Sequence, residues 1–243
     1  WRMAFAVLAG VTLVAFAATL PALRRPAAPA TVAGTVPAVV AMPADFRFQV
    51  MALAAAAFLC CLCMGVPLVH LTSFVAAVCA SPQAGATSLL VAMLCGAVGR
   101  IAFGMIADRA GSLPAYAIAS AMQTVCVVLY PMLDGQASLL ALSAVFGFGF
   151  AGNMTCLILC VREAAGVARF GQALGIVMLV AWAGMGVGGY VGGLVFDLTG
   201  GYALSFQIAF LAGVLNLAVI ALLTARRRRP RPATLVGGAP AAA

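Results

Sequence analysis

A lone arginine in an apolar run is the residue here whose type and position could do the clearest chemistry. Arg100 lies within residues 86–107, a stretch with no other charged side chain. About 20 apolar residues cross the hydrocarbon core of a bilayer. A cation near the centre of that core costs roughly 2.5–3.5 kcal/mol on insertion scales, and an ionisable residue kept there is a functional-site candidate. The planar guanidinium presents a fork of N–H donors that matches a carboxylate, so the expected role is to hold an anion. Gly96 and Gly104 stand at i−4 and i+4, on the same helix face, and are expected to clear space beside it. Asp108 closes the run about 12 Å further along a helix axis. Arg100 is therefore deep, although its long stem could snorkel toward that end. A snorkelling or helix-capping arginine is the structural alternative.

Three further polar or aromatic side chains sit inside apolar runs. His70 follows Pro67. Histidine titrates near neutral pH, which makes a gate or proton relay possible beside a plain hydrogen-bonded role. Asn153 follows Gly147, Gly149 and Gly152; it could bond a neighbouring helix or line a cavity. Trp182 sits near the centre of its run rather than at the interfacial level where tryptophan concentrates, so cavity lining competes with core or lipid packing. Together Arg100, Trp182, Asn153 and His70 are the expected substrate contacts. In the same run as Trp182, Gly184, Gly188 and Gly192 recur every fourth residue. This is a close-packing face that could also let helices slide.

Other chemistry is poorly supported. All 13 basic residues are arginine, so no lysine can form a Schiff base. Of the eight cysteines only Cys60 and Cys63 stand at CxxC spacing, inside an apolar run without a second such pair, and the chain has one histidine; no metal or other cofactor is expected. The cysteines read as small apolar packing residues, not a disulfide framework. Without paired intramembrane carboxylates or a GxSxG sequence, no catalytic set emerges, and an enzyme is not expected. Glu163 beside Arg162 reads as a solvated pair.

The elements that must position these residues follow from composition. The chain is 65% hydrophobic and 7% charged, with mean hydropathy +1.18, whereas a soluble domain is about 25% charged. An all-α integral membrane fold follows. Its expected spans are seven transmembrane helices at residues 3–22, 48–78, 86–107, 114–133, 137–161, 171–195 and 204–225. Breaks with turn residues or charge separate them, among them 108–114, 162–169 and 197–201. The runs are too long for membrane strands of about 9–11 residues.

The arginines set the orientation. Alternate connections hold Arg24, Arg25, Arg47, Arg109, Arg162, Arg169, Arg226, Arg227, Arg228, Arg229 and Arg231, and the other set holds only Arg2. Because arginine accumulates on the cytoplasmic side, the C-terminus is expected inside and the N-terminus outside. The expected organisation is a helix at 1–23, a Pro- and Ala-rich cytoplasmic linker at 24–46, a six-helix bundle at 47–225, and a basic, disordered tail at 226–243. The tail's arginines suit anionic lipid; nucleic acid is not expected, since no aromatic residues are interleaved with them.

Residues 99–111 carry the most specific local pattern. Gly104, Asp108, Arg109 and Gly111 resemble the Gly-x-x-x-Asp-Arg-x-Gly loop motif of the major facilitator superfamily, with Ser112 and Leu113 where basic residues usually follow. Trp1-Arg2 resembles the opening of that fold's sixth helix, and Phe196, Asp197, Thr199, Gly200 and Tyr202 resemble the stretch after its eleventh. The resemblance implies helix 6 plus the C-terminal six-helix bundle, with five helices and their half of the cavity outside this chain. Within the superfamily, Arg100 and the Val69-His70-Leu71 segment resemble the monocarboxylate and oxalate/formate branch. Gly96 stands where that branch often has Asp, and Tyr190 where a proline is common.

The resemblance implies an alternating-access secondary transporter of small organic anions in the cell membrane, with protons as possible co-substrates. The alternatives are a superfamily transporter of another solute, such as a drug or sugar, and a seven-helix receptor or sensor. A cationic drug would be repelled by Arg100 at low dielectric.

Overall fold

The computed structural model describes residues 2–19 and 44–228. Trp1, most of the linker and most of the basic tail lie outside them. The chain divides into two units, Trp1–Ala41 and Met42–Ala243. The first contains helix α1, Arg2–Thr19. The second contains α2 (Ala44–Val78), α3 (Pro82–Ala110), α4 (Ser112–Leu129), a 3-10 turn at Tyr130–Met132, α5 (Gln136–Thr199) and α6 (Ala203–Arg228).

The fold is all-α among the described residues, and five helices are long and apolar enough to cross a membrane. The longest, α5, has 64 residues and leaves helical geometry at Gly166, with φ 63° and ψ 175°. A straight helix of that length would be about 96 Å long, far beyond a hydrocarbon core of about 30 Å. The break at Gly166 divides it into two segments. One expectation needs correction here. Residues 162–165 and 167–169, expected as a loop, continue the helices on either side, because Glu163, Ala164, Ala165 and Ala168 do not oppose helix and Gly166 alone takes the left-handed turn. Helix α2 starts at Ala44, three residues before the expected bundle boundary.

Helix ends follow local chemistry. Ser81 caps α3, its Oγ accepting from Ala84 N at 3.3 Å, and Pro82 takes the first helical position, where a missing N–H costs nothing. Gly111 closes α3 at φ 93°. Gly200 closes α5 in the left-handed region at φ 72°, its N–H donating to Phe196 O at 2.8 Å.

Helix α5 is central and packs most extensively on α2 and then α3. Glycines allow that approach. A Cβ on Gly99 would overlap the backbone of Phe148, and one on Gly147 the backbone of Ala92, so α3 and the first segment of α5 touch backbone to backbone. The second segment lies on α2 in the same way: Gly184 faces Phe58 O, Gly188 faces Leu62 O, and Gly65 of α2 faces Met185 O in return.

Candidate functional site

The buried face of α3 runs through Gly85, Ser88, Ala92, Gly96, Gly99, Phe103 and Ala107. Arg100 follows Gly99 by one residue and so lies about 100° round the helix from it. Its side chain is exposed on the bundle surface. Among the described residues it makes no hydrogen bond or ion pair; the salt bridge found there is Arg227–Glu163. The two glycines beside it differ from each other, and only Gly104 has the open space expected of both. Gly96 does not clear space for the guanidinium. It is packing, since a Cβ there would meet Ala151 Cβ and Gly147 O at 3.2 Å. Gly104 has open space beside it, with nothing within 4 Å of a Cβ.

The other expected contacts are dispersed. Trp182 is 67% exposed, on the side of α5 away from Gly184, Gly188 and Gly192, which are buried. His70 is half-buried between helices, with Nε2 2.9 Å from Gly189 O. Its Nε2–H donates, because the carbonyl can only accept. Asn153 is fully buried. Its Nδ2 donates to Gln123 Oε1 at 2.6 Å, and Gln123 Nε2 donates to Cys60 O at 3.1 Å. Asn153 is thus a tie running from α5 through α4 to α2 rather than part of an open surface. Its position opposite Gln123, both in the packed interior, is the physical reason.

This tie belongs to a polar seam in α4 that the sequence analysis did not single out. Tyr116 Oη donates to Asn216 Oδ1 at 3.4 Å, and Asn216 Nδ2 donates to Ser120 Oγ. Thr124 Oγ1 donates to Ser120 O at 2.7 Å. Tyr116, Ser120, Gln123 and Thr124 are spaced i, i+4, i+7 and i+8, one face of an apolar helix; that spacing was the available signal. Cross-helix hydrogen bonds in membranes average about 0.6 kcal/mol, and an orphaned buried acceptor adds to the loss. Asn153→Ala is accordingly expected to cost about 1–2 kcal/mol of stability, read as a lower melting temperature in detergent, with substrate half-saturation unchanged. A changed half-saturation at unchanged stability would restore Asn153 as a substrate contact.

The loop motif closes the arginine-rich end of the bundle. Asp108 and Arg109 are exposed, and Gly111 N–H donates to Ala107 O at 2.9 Å. Asp108 lines a cavity of about 330 Å³ together with Ser112, Arg162, Glu163 and Gly166. Glu163 pairs with Arg227 of α6 at 3.1 Å, not with Arg162 as expected. Both side chains are about half exposed, so the pair contributes little, up to about 1 kcal/mol. Arg226 stacks over Phe48 at 4.0 Å and Arg169 over Phe46 at 5.4 Å. These contacts gather the start of α2, the Gly166 break and the end of α6 at one end. All eight cysteines are free, and among the described residues no three His, Cys, Asp or Glu side chains converge as metal ligands would.

Comparison with known proteins gives a consistent answer. The family model described as Major Facilitator Superfamily matches residues 1–180 and, in a second match, 53–242. Monocarboxylate transporter 13 of Bos taurus is 28% identical over 146 residues, covering 59% of this chain and 34% of that protein. The Rattus norvegicus protein of the same name is 27% identical over 146 residues, with the same coverage. The chain thus spans about a third of the length of the curated relatives it matches.

Proposed function

The chain belongs to the Major Facilitator Superfamily, a family of multi-pass membrane transporters, and on that premise we propose that it forms one side of an alternating-access site for small organic anions. The observation that carries this reading is the exposed guanidinium of Arg100 in the middle of an apolar helix, a group with no hydrogen-bond or ion-pair partner among the described residues. An uncompensated cation at that depth is costly. A carboxylate arriving as cargo offsets the cost through a paired, charge-assisted hydrogen bond. The open flank at Gly104 leaves room for such a ligand beside the guanidinium. The relatives' name, monocarboxylate transporter, fits the same chemistry.

In this reading two helical bundles rock about a midplane site, and this chain contributes Arg100 from one of them. The arginine-rich end faces the cytoplasm of the cell membrane, which puts Asp108, Arg109 and the Glu163–Arg227 pair on the inner side. His70 and Trp182 are not beside Arg100 in sequence or on its helix, so their contribution is to the walls and gates rather than to the carboxylate clamp. Among the described residues no Asp or Glu lies deep in a span. Anion-for-anion exchange needs no such proton carrier, whereas symport would take its proton site from elsewhere or from the substrate.

Counterflow in proteoliposomes of the full-length protein tests this directly. Vesicles preloaded with unlabelled oxalate, formate, lactate or pyruvate are expected to accumulate the labelled anion transiently. Counterflow of a neutral sugar with none of the four carboxylates would overturn the proposal.

A further inference from the structure

The last part of α2 is joined to α5 by one directional bond, and the turn of α5 that receives it is built to fit. His70 Nε2–H donates to Gly189 O at 2.9 Å. A Cβ on Gly192 would stand 2.6 Å from His70 Cδ2 and 2.8 Å from Nε2, and one on Gly193 would stand 3.6 Å from Cε1. Gly192 therefore forms a socket that only glycine leaves open while the imidazole is present. The same turn takes a second cross-helix bond, from Ser205 Oγ of α6 to Gly192 O at 3.1 Å. Tyr202 covers the imidazole, with ring centroids 5.4 Å apart, and stacks on Phe196 at 4.4 Å.

Pro67 lies one turn before His70, inside α2. Proline has no N–H to give the carbonyl four residues back and clashes with it, so a helix bends there most readily. Gly65 adds a second weak point. Beyond the proline, the buried side chains are Leu71, Phe74 and Val75. Apolar contacts of this kind give little net drive between helices in lipid, because acyl chains replace them at small cost. A hydrogen bond to a helix carbonyl is different: it has one geometry, and it is lost when the helices part.

We propose that residues 68–78 are a hinged segment of α2, with Pro67 as the hinge and the His70–Gly189 bond as the latch that seats it in the Gly192 socket. The latch is at the end of the bundle opposite the arginine-rich end, so its release opens one mouth only. It deepens the alternating-access reading and rests on it for the purpose of the motion, but the geometry itself involves no substrate.

Hydrogen exchange of the full-length protein in nanodiscs, without substrate, reads the latch. His70→Ala is expected to speed exchange across residues 68–79 by about fivefold, the population shift that one net hydrogen bond commands. Residues 116–124, in the polar seam, should not change. Gly192→Ala alone should have a similar effect by displacing the ring. In the His70→Ala background Gly192→Ala should add nothing, since the next atom it would meet, Val66 Cγ1, is at an ordinary 3.5 Å. His70→Gln, which keeps a donor, should restore part of the protection. Unchanged exchange across 68–79, equal acceleration across 116–124, or additive effects in the double variant would each overturn the latch. Because exchange is read without cargo, a failed latch and a failed assignment of organic-anion transport remain distinguishable.

Discussion

Arg100→Ala will abolish carboxylate uptake while leaving the protein folded and inserted. The two halves of this expectation have separate causes. Arg100 is exposed and has no hydrogen bond or ion pair among the described residues, so its removal breaks no packing. Deleting a mid-span cation even favours insertion, by roughly 2.5–3.5 kcal/mol on insertion scales. Losing one partner of a desolvated charge pair with the substrate, by contrast, costs about 2–5 kcal/mol, roughly thirtyfold to several thousandfold in kcat/KM. Arg100→Lys keeps the charge but loses the planar fork and is expected to retain roughly a tenth of the activity or less, since each 1.4 kcal/mol is tenfold. The measurement is initial uptake rate and half-saturation in proteoliposomes, with melting temperature as the control. Arg100→Ala with a half-saturation within about twofold of the parent, a change worth under 0.5 kcal/mol, would show that the guanidinium does not touch cargo.

The contrast between that residue and its neighbours shows what a one-dimensional reading could reach. Bilayer thickness sets the length of an apolar run, so the helices of the bundle were legible, and so was the cost of Arg100. Helical spacing also places Gly96 and Gly104 on the same side as Arg100. Spacing does not say which side of a helix meets a neighbour. Gly96 proved to face Gly147 and Ala151, and Gly104 open space, because α5 covers only part of that side. The same limit applies to Asn153. Its partner Gln123 is 30 residues away, and nothing local distinguishes a polar group tied inside a bundle from one facing a cavity. The segment at 162–169 was misread because charge was taken for a loop, when Gly166 alone breaks the helix. His70 and Gly189 are 119 residues apart; the glycine spacing of α5 was legible, but its role as a socket required the partner helix.

Glycines on α3 and α5 should divide sharply by what a side chain there would meet. Gly147→Leu is expected to abolish recovery of monodisperse protein. Its Cβ would already overlap the backbone of Ala92, and backbone cannot turn aside as a side chain can. Overpacking a filled core costs about 1–3 kcal/mol for modest insertions. Here two helices must separate, which also loosens the adjoining contact between Gly99 and Phe148. The expected loss exceeds that range and takes a large part of a typical stability of about 5–15 kcal/mol. Gly104→Ala is the opposite case. Nothing lies within 4 Å of its Cβ, and alanine in place of glycine favours a helix by up to about 1 kcal/mol. The melting temperature should therefore hold or rise. Transport should still fall, because the added methyl stands one turn from Arg100 on the same side and narrows the space where a carboxylate would lie. If Gly104→Ala is neutral in both stability and uptake, the open flank beside Arg100 is not part of the site. If Gly147→Leu is recovered folded, α3 and α5 do not cross at the closeness on which the whole placement of Arg100 depends.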